Sequence, residues 1–598
     1  FNRDNVGCSI KSMLLTLHSA AALSSVPRSG IAALAQGAGL RCGTGARAAP
    51  ASALLDLERP VSLLSLTATD QSIAGHAAAT RPIHVKIDGH WYDVTSWADK
   101  HPGGRYMLEW SDGFDVTGAF HTIHLFSSVK ASDMLKRLPE ADLMTRASVE
   151  QVLPAIDRTA GHGETTGMDV FMNVGERAVQ LVSPPASTLP SPVPTTSATD
   201  LSWQQSGAYA VGDSALKHDL EALLRKHFRR PAEYKATREH WARIVASLVL
   251  WSVCFVGWAQ CSTLATLLLP FAQWLVFSPT VHESSHSTLS TKPWVNKVMA
   301  FCGLPWIYHP YIWWPQHILS HHQYTNDDAL DVDLHHLRPA RLHPGCEADK
   351  SASGFNFIFK GYFSTMGMAV LWPLRDLQGK STGRWYENLI TPKPASVDDA
   401  EFRRSLAPVA FVMAWPWVLA LGSLAGYTPC GEVNALHAFF LWYYPWAVTG
   451  AIWTVMTQVS HVQEECQRPR TGDEDDFFRW QIESAVDYSV DSSLVPKLTA
   501  SLSLQSMHHV MPSVCGCHFH RLYPEYKAIC EKHGVRLNTR RDVSHAWRTA
   551  IARIFELSSP ELTPAWAVDS ETGLAQHAPI LAYFLTPAAA FLACSPFF

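Results

Sequence analysis

At 598 residues the chain has room for several domains, and its formal charge of −5 excludes a basic, nucleic-acid-binding protein. Only 17% of residues are charged, against 22 Trp and 26 Phe, a lean aromatic balance typical of chains that meet lipid. The 12 Cys follow no disulfide-framework spacing, which points to a reducing compartment.

Residues 1–80 are rich in Ala and Ser, with six Lys or Arg against four acidic residues, and read as a transit peptide or a disordered extension. The texture changes over residues 81–145. HVKIDGHWYDVTSW predicts two short strands around an Asp88-Gly89 turn, and it runs directly into His101-Pro102-Gly103-Gly104. HPGG behind a YDVT strand is a specific phrase, and the segment resembles the cytochrome b5 family, although that family's usual first strand and WI phrase are absent. The resemblance implies haem b held by His101 and by the last residue of TGAFHTIH, His124, with His121 as the alternative ligand. Two imidazoles leave no open iron position, so such a haem passes electrons and does not bind oxygen.

Residues 146–208 carry SPPASTLPSPVPTTSATD and read as a solvated tether that lets the haem domain move. Residues 209–545 hold the long apolar segments. Ile244 to Val281 contains no Asp, Glu, Lys or Arg, nearly twice the ~20 residues of one span, so two helices with a turn near Gln260-Ser262 are expected. Ser405–Gly431 and Val433–Ser460, split by TPCGEVN, give a third and a fourth span. Arg225, Lys226, Arg229, Arg230, Lys235, Arg238 and Arg243 precede the first span, Arg403 and Arg404 the third, and Arg468 and Arg470 follow the fourth. The hairpin turns carry no Lys or Arg, so both hairpins enter from the cytosolic or stromal side.

Three histidine clusters then fall on one face: His282 and His286 in HESSH, His317, His321 and His322 in HILSHH, and His508 and His509 in QSMHH. His461 stands at the exit of the fourth span. On a helix an i, i+4 pair shares a face and adjacent residues diverge by about 100°, so an HH pair offers one imidazole to each of two metals. Imidazole suits iron, zinc and copper alike. HESSH also fits the zinc-protease pattern HExxH, but the extended form needs Gly and His where Leu289 and Lys292 stand, and five box histidines would be idle. Cys515, Cys517, His518 and His520 crowd together, yet four ligands in six residues can hardly close a tetrahedron.

HxxxH, HxxxHH and QxxHH, straddling two membrane hairpins, resemble the membrane fatty acid desaturases, and the fused haem domain with Gln opening the last box resembles the front-end subgroup. That resemblance implies a di-iron centre held by His282, His286, His317, His321, His322, His508 and His509, with Gln505 where other members have His, and with His461 as either a further ligand or a core residue. It implies O2 as co-substrate and two non-haem irons. A polyunsaturated acyl-lipid or acyl-CoA would be the substrate, and a separate NAD(P)H-dependent cytochrome b5 reductase would supply electrons in an endoplasmic-reticulum or plastid membrane. Sphingoid-base desaturation and acyl hydroxylation use the same chemistry and stay open. Glu283 and one of Asp327, Asp328, Asp331 and Asp333 are expected to orient imidazoles, while His335, His336 and His343 are expected at the surface. Gly354 to Pro373 reads as a helix along the bilayer, and residues 546–598, with an apolar stretch broken by Pro579, Pro587 and Pro596, have no assigned role. The expected fold is an all-α polytopic membrane protein: four transmembrane helices with a cytosolic-face di-iron cap, behind a small α+β haem domain.

Overall fold

The computed structural model describes residues 82–141, 213–328, 330–346, 351–379, 393–467, 476–499, 501–568 and 573–597. The Ala/Ser-rich extension and the Pro/Ser linker lie outside them. The chain forms two compact units, one of Arg81–Pro416 with Ala435–Phe598 and one that includes Trp417–Asn434. Within Trp417–Asn434 the Tyr427 N–H donates to Gly422 O (2.8 Å) and the Val433 N–H to Ser423 Oγ (2.9 Å), which closes the turn.

The expected hairpin forms from His84–Ile87 and His90–Asp93, antiparallel, with Ile87 opposite His90. Asp88 and Gly89 both take positive φ (50° and 83°), the backbone of a tight turn whose twist matches the strands it joins. Alternation buries Val85 and Ile87 against Met107, Trp110 and Ala119 from the helices Arg105–Trp110 and Thr117–Ile123.

The first long helix, Arg238–Ala259, starts on a Thr237 cap, and the next, Thr263–Val276, on a Ser262 cap, so the turn falls where expected. Gly257 lets the two helices touch, since a Cβ there would sit 2.4 Å from Ala265 Cβ. Among the described residues, four helices are long and apolar enough to cross a membrane: Arg238–Ala259, Thr263–Ser285, Ala407–Leu424 and Ala575–Phe597. Ala435–Gln458, expected as the fourth span, also forms, uncharged and unbroken; its Tyr, Trp and Thr residues make it less apolar, and most of it is buried. The C-terminal stretch joins the apolar helices because its prolines do not break it. Pro579 stands in the first turn of Ala578–Cys594, where no intrahelical N–H bond is lost.

Internal prolines free a carbonyl four residues back, and neighbouring helices supply the donors. Pro587 frees Tyr583 O, which accepts from Tyr362 Oη (2.9 Å). Pro445 frees Leu441 O, which accepts from Trp258 Nε1 (2.8 Å). Such partners are required where no water reaches the backbone.

A short parallel pair, Val486–Tyr488 with Asn538–Arg540, also forms, which the periodicity of the sequence does not announce. The stretch expected as one helix breaks after Gly361 and resumes at Ser364–Met366; the first piece, Gly354–Gly361, leaves Phe355 and Phe359 exposed. The DLHHLRPARLH loop is not at the surface. His335 and His343 are fully buried beneath Leu334, Leu337 and Leu342, and His336 is largely covered against Trp372, because the loop's leucines join the core and carry their neighbours inward.

Candidate metal centre

Two of the three boxes sit on widened helical turns. His282 ends the π-helical segment Phe277–His282, and His317 and His321 lie in Trp314–His321. Each segment carries a proline, Pro279 and Pro315, which cannot donate to the fourth carbonyl back and crowds it, so the helix opens. Bonding i→i+5 then places residues five apart on one face. His317 accordingly turns toward His322, not toward His321. The third box lies on Gln505–Val510, and His461 follows the end of Ala435–Gln458.

The imidazoles gather into two abutting cages. In the first, His282, His286, His317, His322 and His508 place one nitrogen each within 4.8 Å of all the others. His317 Nε2 is 3.1 Å from His282 Nε2, 3.1 Å from His286 Nε2 and 3.2 Å from His322 Nε2, and His508 Nε2 is 3.1 Å from His322 Nε2. Ligands at right angles on bonds of about 2.1 Å stand about 3 Å apart, so this spacing fits one shared cation. The second cage joins His321, His461 and His509. The Gln505 amide completes it, 3.0 Å from His461 Nε2 and 3.2 Å from His509 Nε2, with Oε1 lacking a partner among the described residues. A half-turn of the amide exchanges its two ends and aims the carbonyl oxygen at the same point. Each HH pair divides between the cages, His321 from His322 and His508 from His509, as adjacent helical positions must.

The cages differ in what stands behind them. In the first, Nδ1 of His282, His286, His317 and His322 is buried with no hydrogen-bond partner among the described residues. Packing orients these rings, with Trp313 stacked on His317 at 4.1 Å. In the second, His321 Nδ1 lies 3.2 Å from both Asp331 oxygens, His461 Nδ1 donates to Ser484 O (3.0 Å), and His509 Nδ1 to Gln481 Oε1 (2.8 Å). Burial drives His286, His317, His322, His508 and His509 well below the usual histidine range, which keeps them neutral and able to ligate. Burial also lowers His321, but Asp331 and Asp333 outweigh it and bring it up to about 9. A carboxylate that favours a proton on Nδ1 equally strengthens Nε2 as a ligand.

Among the acidic residues expected to brace imidazoles, Asp331 does so. Glu283 does not: it accepts from the Gly516 N–H (3.0 Å) and from Thr288, because residue 283 projects away from the face that His282 and His286 share. Sequence reasoning missed Gln481 and Asp487. Asp487 anchors the third box through the Ser506 N–H (2.9 Å) and Oγ (2.7 Å), and no local motif marks either residue.

In the haem domain the His101 and His124 rings face each other with centroids 6.2 Å apart. That spacing matches two imidazoles on opposite sides of one iron, about 6 Å for bonds of about 2 Å. Burial lowers both, His124 to about 4, and His124 Nδ1 donates to Phe120 O (2.8 Å). His121 instead pairs with Asp88 at 3.0 Å.

The haem domain rests against the metal boxes. Gln323, next to His322, accepts from the Gly118 N–H (3.0 Å) and donates to Asp115 O (2.7 Å). Ser287, next to His286, donates to Met107 Sδ (3.3 Å), and Trp110 meets Tyr311 and Trp314 edge-on at 5.1 and 5.8 Å. Two glycines permit the approach: a Cβ on Gly104 would stand 2.6 Å from Pro293 Cβ, and one on Gly118 2.9 Å from Phe477. Polar ties beside two box histidines seat the domain against the first cage.

Residues 256–541 match the model of the fatty acid desaturase family, and residues 69–143 that of the cytochrome b5-like heme/steroid binding domain, which begins ahead of the boundary expected at 81. The chain is 27% identical over 484 residues to an acyl-lipid omega-13 desaturase of Chlamydomonas reinhardtii, covering 79% of this chain and 93% of that relative. It is 23% identical over 487 residues to an acyl-lipid (8-3)-desaturase of Mortierella alpina, covering 78% and 92%. It is also 24% identical over 257 residues to an sn-1 linoleoyl-lipid 6-desaturase of Arthrospira platensis, covering 42% and 66%.

Proposed function

The chain belongs to the front-end fatty acid desaturases, with a cytochrome b5-like domain ahead of a membrane desaturase domain, and from that premise we propose how its residues divide the work. His101 and His124 hold haem b. His282, His286, His317, His322 and His508 hold one non-haem iron, and His321, His461 and His509 hold a second, with Gln505 as a carbonyl ligand. The product is a new double bond on the carboxyl side of an existing one in a polyunsaturated acyl-lipid, with acyl-CoA as the competing carrier. The observation that carries this reading is the convergence of eight imidazoles from distant segments on two adjacent points beside a docked haem domain.

Iron bound in the cages supplies the redox chemistry, in which one O2, two electrons and two protons accept two hydrogens from adjacent methylenes and leave as two waters. The chain's own residues set the conditions. Neutral, buried imidazoles present lone pairs; Asp331, Ser484 and Gln481 fix the tautomers of the second cage; Trp313 holds His317 in place. Gln323 and Ser287 keep the haem domain beside both His322 and His286, the side from which electrons would reach the cages. They originate in a separate NAD(P)H-dependent reductase, on the cytosolic face of the endoplasmic reticulum or the stromal face of a plastid membrane. The zinc-protease reading loses its general base, because Glu283 is engaged with Gly516 and Thr288.

Expression in yeast supplied with several polyunsaturated acids, with gas chromatography of the methyl esters, tests the assignment. A product unsaturated between the first existing double bond and the carboxyl group is expected. No new product, or a bond inserted toward the methyl end, overturns the reading.

A further inference from the structure

Behind the first cage lies a second kind of donor cluster that the desaturase chemistry does not use. Cys515 and Cys517 are free thiols on the loop after the third box, and the folded chain brings His240 to them from the first turn of the helix Arg238–Ala259. One ring nitrogen of His240 and the two Sγ atoms all lie within 4.8 Å of one another. His240 Nε2–H donates to Pro279 O (3.2 Å), which leaves Nδ1 as the bare lone pair. That Nδ1 is buried and has no hydrogen-bond partner among the described residues. The short spacing that speaks against a site in the sequence is therefore overcome by a ligand from a distant helix.

The loop is built to hold its shape. The Cys515 N–H donates to Tyr234 O (2.9 Å), the Gly516 N–H to Glu283 Oε1 (3.0 Å), and Ser501 Oγ to Gly516 O (2.7 Å). A Cβ on residue 516 would strike Ser501 Oγ at 2.6 Å and Glu283 Oε1 at 2.8 Å, so only glycine fits between the cysteines. Lys235 donates from Nζ to Ser513 O (3.2 Å), and its charge acts on both Cys515 and Glu283. Cys515 is buried while Cys517 is partly exposed, which supplies an entry path.

We propose that His240, Cys515 and Cys517 bind one soft, redox-inert divalent cation of the zinc class, in a site separate from both histidine cages. Two thiolates and one neutral imidazole are a common zinc donor set, with a fourth position for water, and thiolate selects against the hard cations that carboxylates prefer. The ion staples the start of the first span to the loop behind the third box, and through Glu283 and Gly516 it backs the first box as well. Zinc is part of the scaffold in this assignment, and iron alone does the chemistry.

The test uses full-length enzyme purified in detergent from zinc-supplemented cells, with metal analysis of wild type and Cys517→Ser. About one zinc per chain is expected in the wild type, with loss in Cys517→Ser while non-haem iron and the reduced-haem spectrum are retained. Zinc that has strayed into the histidine cages would persist in Cys517→Ser, and that persistence, like sub-stoichiometric zinc in the wild type, overturns the proposal. Cobalt(II)-loaded wild type supplies a second readout that needs no variant. A thiolate-to-cobalt charge-transfer band is expected, and a purely nitrogen-ligated spectrum overturns the site even if Cys517→Ser fails to fold.

Discussion

The two histidine cages are neighbours built on opposite principles. The first has five imidazoles and almost no hydrogen-bonded support: four buried Nδ1 atoms lack partners among the described residues, and packing alone aims the rings. The second has three imidazoles and an amide, and Asp331, Ser484 and Gln481 each take hold of one ring from behind. A buried polar atom without a partner costs about 1–3 kcal/mol, a cost that a metal bound to the facing nitrogens, as proposed, would offset. The second is already organised by the protein. The first cage also faces the haem domain, since the residues that follow His286 and His322 make the contacts. The number of imidazoles thus stands in for bracing, and the bracing is concentrated in the cage that Gln505 completes.

Four variants break or sharpen this contrast. His317→Ala removes the ring that touches three others in the first cage. Desaturation should fall by more than about 100-fold, with about half of the non-haem iron lost, read by methyl-ester chromatography and iron analysis. If iron content does not change, the first cage is not a metal site. Asp331→Asn leaves every ligand in place but weakens the support of His321. A loss of about 10–100-fold in activity is expected, confined to the second cage's metal; an equal loss from both cages would mean that they do not differ as described.

Gln323→Ala cuts the polar tie between the haem domain and the first cage. Oxygen-dependent reoxidation of pre-reduced haem, followed by stopped flow with substrate present, should slow by about 10-fold, the worth of one or two hydrogen bonds near 1 kcal/mol each. Iron content should not change, and an unaltered rate would mean that electrons enter elsewhere. The smallest effect is expected from Gln505→His, which supplies the second cage with a fourth imidazole in place of the amide. Activity within about threefold of wild type, with a changed Mössbauer signature for one iron only, would support Gln505 as a ligand to that cage.

Local rules make part of this legible along the chain. Asp88-Gly89 between alternating apolar residues has few options besides a tight hairpin, and HPGG beside it marks the haem fold. Uncharged stretches longer than a bilayer announce the first hairpin of spans. Adjacent histidines diverge on any helix, so the division of His321 from His322 and of His508 from His509 follows from their spacing alone. Other features are hidden because they depend on partners far away in the chain. The prolines near the C-terminus look like breaks until Tyr362 is seen to satisfy the carbonyl that Pro587 frees. Glu283 looks like an imidazole partner until the turn carries it toward Gly516. His335 and His343 look exposed until Leu334 and Leu342 draw their loop inward.

The chemistry was written in the order of residues: neutral imidazole donors in boxes beside lipid, joined to a haem-binding phrase, because ligand identity and helical spacing are properties of short segments. Tertiary structure alone decided which imidazole belongs to which cage, that His461 faces the second, that Asp331 is the bracing carboxylate and that His240 reaches Cys515 and Cys517. Those outcomes rest on angles set by proline-widened turns and on contacts between residues from ten to more than two hundred positions apart, and no single motif encodes either.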